Sequence, residues 1–147
     1  KKIIYSGRLQ KVNGKPFENY KNLNIWADCA HNILGFRVLR RWIVQNKIKK
    51  PTIIIALGIK KDYINILKEI KKIDPFFLGL ISKTNIENHN PKKLKTLADK
   101  LKINSFIFRN LKQGLKFSQN QSYQMTKHTV IVSGSIGLVG ELLSKQK

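Results

Sequence analysis

Apolar and polar positions along the chain change period repeatedly, from short continuous apolar runs to spaced apolar stripes. Asn24-Ile25-Trp26-Ala27, Thr52-Ile53-Ile54-Ile55-Ala56-Leu57, Phe76-Phe77-Leu78-Gly79-Leu80-Ile81, Ser105-Phe106-Ile107-Phe108 and Thr129-Val130-Ile131-Val132 are short runs of the kind expected for strands buried on both faces. Between them lie segments with helical spacing. After Ile33 the pattern predicts a helix that buries Leu34, Val38, Leu39, Trp42 and Ile43 and turns Arg37, Arg40 and Arg41 to solvent. Tyr63, Ile66, Leu67 and Ile70 form a second stripe, and Leu94, Leu97, Ala98 and Leu101 a third, the latter opened by Asn90-Pro91 as a cap with Pro at the first helical position. Gln119–His128, rich in Gln, Asn and Ser, reads as a surface loop, and Ile3–Val12 as an edge strand or a segment lying along a neighbouring domain. Strand-helix alternation repeated about five times predicts an α/β fold: a Rossmann-like, mostly parallel sheet of five or six strands with helices on both faces.

A chain of 147 residues is enough for one hydrophobic core, and no repeat or low-complexity linker divides it. No apolar run reaches the ~18–20 residues that cross a bilayer, and Lys1-Lys2-Ile3-Ile4-Tyr5 lacks the features of a signal peptide, so a cytoplasmic, monomeric protein with no membrane partner is expected. Cys29 is the only cysteine, which excludes an internal disulfide and a cysteine-based zinc site. The formal charge of +21 raises the possibility of a nucleic-acid partner. Its source argues otherwise: 24 of the 29 basic residues are lysines spread through every segment, and Ile (20) and Asn (13) are also abundant, as an A/T-rich coding bias would produce.

The chemistry concentrates in Asp28-Cys29-Ala30-His31-Asn32, at the carboxyl end of one predicted strand and the start of a helix. In open α/β sheets ligands bind in the crevice at that edge, where helix N-termini offer unpaired N–H groups and partial positive charge. A plainer reading has Asp28 or Asn32 capping the helix and His31 on the surface. Two glycine patterns fail as nucleotide cradles. Gly14-Lys15-Pro16 lacks both the upstream glycine and the Ser/Thr of a P-loop. Gly134, Gly137 and Gly140 have the wrong spacing for a dinucleotide fingerprint, and only seven residues follow them. Ser133 and Ser135, at a second strand-helix junction, could present hydroxyls and backbone N–H groups to carboxylates, or simply permit close packing. His89 and His128 fall in polar stretches without partners at metal-ligand spacing, and no metal site is assigned.

Three blocks taken in order, Gly7-Arg8-Leu9-Gln10, Asp28-Cys29-Ala30-His31-Asn32 and Val132-Ser133-Gly134-Ser135-Ile136-Gly137-Leu138-Val139-Gly140-Glu141, resemble the C-terminal glutamate-ligase domain of folylpolyglutamate synthase/dihydrofolate synthase in the Mur ligase superfamily. The sequence departs from the family pattern at Ser6, where Pro is usual, at Lys60-Lys61-Asp62, where Asp-Lys-Asp is usual, and at Gly137, where an aromatic is common. The resemblance implies a Mur ligase C-terminal domain spanning 1–147. ATP and Mg2+ would be held mainly by an N-terminal P-loop domain absent from these residues. It implies ATP-binding roles for Arg8 and Asp28, contacts to L-glutamate from His31, Asn32, Ser133 and Ser135, and a catalytic role for His31. The implied reaction is ATP-dependent amide formation on dihydropteroate or a reduced folate, inactive in this chain alone. A basic nucleic-acid-binding module and a catalytically inert remnant of the ligase remain the competing readings.

Overall fold

The computed structural model describes residues 9–84 and 87–145. Gln10–Lys11 (β1) is followed by a 3-10 turn at Lys15–Phe17, then Leu23–Ala27 (β2) and the helix Ile33–Gln45 (α1). Thr52–Ile55 (β3), Tyr63–Ile73 (α2), Leu78–Ile81 (β4), Pro91–Lys100 (α3) and Ser105–Phe108 (β5) continue the alternation. Leu111–Gln121 (α4), His128–Ser133 (β6) and Ile136–Ser144 (α5) complete it. The six strands form one sheet in the order β1-β2-β6-β3-β4-β5, parallel except for β1, which pairs antiparallel with β2 at the edge. The α/β class and the parallel sheet are those read from the sequence, and β1 is a short form of the edge strand anticipated within 3–12.

Alternation within each strand divides the core in two. Ile25, Ala27, Ile54, Val130 and Val132 pack on one face against α4 and α5 through Leu111, Leu115, Leu138 and Leu142. Ile53, Ile55, Leu78, Leu80 and Ile131 pack on the other against α1, α2 and α3 through Phe36, Leu39, Ile66, Ile70, Leu94 and Ala98. The inner strands β3 and β4 are buried at every residue, which explains their uninterrupted apolar runs. Beyond Phe108 the chain crosses back over the opposite face to place β6 between β2 and β3. The crossover directions therefore reverse beside β6, and a crevice opens at the carboxyl ends of β2 and β6.

Three expectations change. In α1 the buried stripe is Phe36, Leu39 and Ile43, whereas Leu34 is 69% and Val38 42% exposed. Arg37 and Arg40 do not simply face solvent: Arg37 Nε donates to the buried Glu69 carboxylate at 3.2 Å, and Arg40 Nη2 lies 3.9 Å from its other oxygen. Gln119–His128 is not a loop throughout. Its first three residues belong to α4, where Ser118 and Ser122 hydroxyls donate to the carbonyls of Gly114 and Ser118 (2.7 and 2.6 Å), so polar residues are buried without loss. His128 opens β6 and is buried, with Nε2 2.7 Å from Thr52 Oγ1 on β3 and the Phe76 ring edge-on beside it. Burial pushes the His128 imidazole pKa below its ordinary value.

Candidate functional site

Parallel pairing of β2 with β6, from Leu23↔His128 to Ala27↔Val132, brings the Asp28–Asn32 loop beside the Ser133–Ser135 loop. Asp28 N–H continues the ladder by donating to Val132 O at 3.0 Å. Beyond it, one carbonyl joins the loops: Ala30 O accepts both Gly134 N–H (2.8 Å) and the Ser133 hydroxyl (3.2 Å). Gly134 has φ +93, and a Cβ built there would stand 2.8 Å from Ala56 O at the carboxyl end of β3. Three strand ends thus converge where only a glycine fits, a constraint that the Gly-after-strand pattern signals but that the sequence alone assigned to no role.

Asp28 is 4% exposed. Its carboxylate accepts Ala30 N–H at 3.0 Å, tightening the loop, and Leu9 N–H at 3.3 Å, which ties the start of β1's segment to the crevice. It is not a helix cap. That place belongs to Asn32, whose Oδ1 accepts Gly35 N–H at 2.8 Å at the start of α1. His31, half-buried between them, has Nδ1 2.8 Å from Cys29 O. A carbonyl can only accept, so Nδ1 carries the hydrogen and Nε2 is the nitrogen left to meet another partner.

Ser135 caps α5, its hydroxyl accepting Leu138 N–H at 3.1 Å, and Ser133 is fully buried with its hydroxyl given to Ala30. The Ser135 oxygen accepts from the helix and keeps its own hydrogen to donate, whereas the Ser133 hydrogen goes to Ala30. The junction also offers backbone: the first-turn N–H groups of Ile136 and Gly137, with no acidic residue in the first turn of either α1 or α5. An open groove of about 230 Å³ runs along the α1 side, lined by Cys29, Ala30, His31, Asn32, Leu34, Gly35 and Val38. Leu34 and Ile136, 69% and 66% exposed, stand at the N-termini of the two helices.

On the same edge, beyond β3, Asp62 caps α2 by accepting from Asn65 N–H (3.2 Å) and Nδ2 (2.7 Å); the Asn65 bonds lower its pKa. His89 Nε2 lies 2.7 Å from Lys61 O, with its ring against Tyr63. The structure thus brings Asp28, His31, Asn32, Ser133 and Ser135 to one crevice, while Arg8 lies outside the described residues. Among the described residues no three of His, Cys, Asp or Glu gather as a metal site.

No protein-family model matches the chain, and no curated protein matches it in sequence. Solved structures do match its fold. E. coli FolC in complex with ADP superposes with a TM-score of 0.72 at 18% identity, over 96% of this chain and 31% of its own. Mycobacterium tuberculosis folylpolyglutamate synthase complexed with ADP gives 0.75 at 16% identity, over 95% and 32%. Helicobacter pylori folylpolyglutamate synthetase gives 0.69 at 19% identity, over 99% and 32%. The chain spans about a third of the length of these proteins and has the α/β fold of the matched portion.

Proposed function

We propose that this chain is the glutamate-ligase domain of an ATP-dependent folate:glutamate ligase, and that the β2/β6 crevice forms its half of a site shared with a P-loop domain. The observation that carries this is the convergence of His31 and two acid-free helix N-termini at one crevice, on a fold shared with FolC, which has been solved with ADP. The other domain would grip the Mg-ATP phosphates through its P-loop. The carboxylate of dihydropteroate or a reduced folate attacks the γ-phosphorus and ADP leaves. The amine of L-glutamate then attacks the acyl phosphate carbon, loses a proton, and expels phosphate.

The residues divide the work by what each has free. His31 Nε2 faces glutamate or the transferred phosphate, oriented by the Cys29 carbonyl. The Ile136 and Gly137 N–H groups hold carboxylate oxygen, set in place by the Ser135 cap. Asn32 and Ser133 act by shaping the loops. Asp28 is a positioning residue: by accepting Leu9 N–H it fixes the residue next to Arg8, the guanidinium assigned to ATP phosphate by the resemblance. Rate would come from positioning and charge stabilisation once the domains close.

An amide NMR titration of the chain with Mg-ATP and then L-glutamate tests the location. Perturbations are expected at residues 29–35 and 134–138, with a dissociation constant of ~1 mM or weaker, since no P-loop is present. Shifts centred elsewhere, or micromolar binding, would overturn the assignment.

A further inference from the structure

The fold collects lysines that the sequence disperses. Helices α1, α2 and α3 all end at the amino edge of the sheet, opposite the crevice, and their exits carry Lys47, Lys49 and Lys50, then Lys71, then Lys100 and Lys102. All six are exposed. The exits touch one another: Lys50 Nζ is 3.1 Å from Asp74 Oδ2, and Lys71 Nζ donates to Lys102 O at 3.3 Å. Two carboxylates accompany these six lysines, Asp74 in the turn after α2 and Asp99 beside Lys100, the latter paired with Lys95.

Two bland causes are available, and neither accounts for the pattern. Helix dipoles favour cations in last turns, which covers Lys71 and Lys100. Coding bias favours lysine generally. Yet Lys47, Lys50 and Lys102 have φ of 55, 48 and 59, the left-handed backbone that suits Gly and, next best, Asn. A bias toward A/T-rich codons supplies Asn as readily as Lys, and Asn fits this backbone at lower cost. At Lys47 and Lys102 charge is the property that lysine adds, while Lys50 shares its charge with Asp74, which has φ 58 itself.

We propose that the amino edge of the sheet docks the phosphate backbone of single-stranded RNA, independently of base sequence. Lysines act as point charges toward phosphate, and the strip contains no arginine with which to read base edges bidentately. Helix packing sets neighbouring exits about 8–10 Å apart, and a flexible strand can fit its phosphates to that spacing. A membrane surface is the less suitable occupant, because no large apolar side chain is exposed in these turns to insert. Docking here leaves the crevice on the opposite edge open.

Fluorescence anisotropy with a labelled 20-nucleotide uridylate RNA, run from 50 to 200 mM salt, tests the proposal. The triple variant K47N/K50N/K102N should bind at least tenfold more weakly at 100 mM salt. Its slope of log affinity against log salt should be smaller by about 2, from three lost phosphate contacts at about 0.7 each. The variant K68Q/K112Q/K116Q removes the same charge from exposed helix positions elsewhere and should bind within twofold of the parent. Thermal melting verifies folding, where the Asn variant should be no less stable than the parent. Equal weakening by both triple variants, no RNA binding by the parent at 50 mM salt, or cosedimentation with phosphatidylserine vesicles in place of RNA binding would overturn it.

Discussion

Single residues decide the geometry at both ends of β6. At its carboxyl end, Gly134 has φ +93 and no room for a Cβ against the Ala56 carbonyl. G134A should lower stability by about 2 kcal/mol or more, combining left-handed strain with a backbone clash, as measured by urea denaturation. Gly140 in α5 is the internal contrast, with nothing within 4 Å of its hypothetical Cβ. G140A should stabilise by about 0.5–1 kcal/mol, and a destabilisation there would contradict the helix assignment. At the amino end, His128 is buried against Thr52 with its pKa lowered by desolvation. Both states are neutral above the unfolded value of about 6.5; below it the unfolded chain takes up a proton that the folded chain resists. Stability should therefore fall as pH drops from 6.5 through the lowered folded value, and H128Q should remove that part of the slope in urea midpoints measured at pH 7.5 and 5. The sequence could not show this, because Thr52 is 76 positions away and only the placement of β6 beside β3 joins them.

At the scale of elements, strands were legible wherever burial on both faces left an unbroken apolar run, as at Thr52–Ile55 and Leu78–Ile81. Helix α1 was legible as a helix but not in its rotation. Leu34 and Val38 form one stripe and Phe36, Leu39 and Ile43 an adjacent one, and only contact with α2 selects the second. Polar α4 was read as loop in its last turn because its buried positions include serines that satisfy themselves on the helix backbone. The contact between α1 and α2 has a charged centre as well. Burial pushes the Glu69 carboxyl pKa up, but hydrogen bonds from Arg37 and Lys72 and the charges of both outweigh this and leave it lowered. Its contribution is therefore present above the ordinary carboxylate range and is lost as pH falls through the lowered value. E69Q should cost on the order of 1–2 kcal/mol at neutral pH, a modest figure because the partner cations are about half exposed. An unchanged urea midpoint would show that the cluster only decorates the surface.

For the whole molecule, the meeting of the two strand-end loops was legible and the hydrogen bonds within them were not. Asp28, His31 and the Ser133–Ser135 loop could be placed at one sheet edge from strand-helix order alone. The loop and cap bonds could not be read from spacing: Ser133 donates to Ala30 O, Ser135 Oγ and Asn32 Oδ1 accept from their helices, and His31 Nδ1 is held by Cys29 O with Nε2 left over. As half of a ligase site, this crevice should work once its partner domain is supplied. The most direct measurement replaces the matching third of E. coli FolC with this chain and records glutamate-dependent phosphate release from ATP with dihydropteroate or tetrahydrofolate. The chimera should turn over, the isolated chain should not, and H31A should reduce kcat by about 10²-fold with folding intact, the scale of one lost preorganised contact. Turnover by the isolated chain, or a folded H31A chimera within twofold of its parent, would overturn the shared-site assignment.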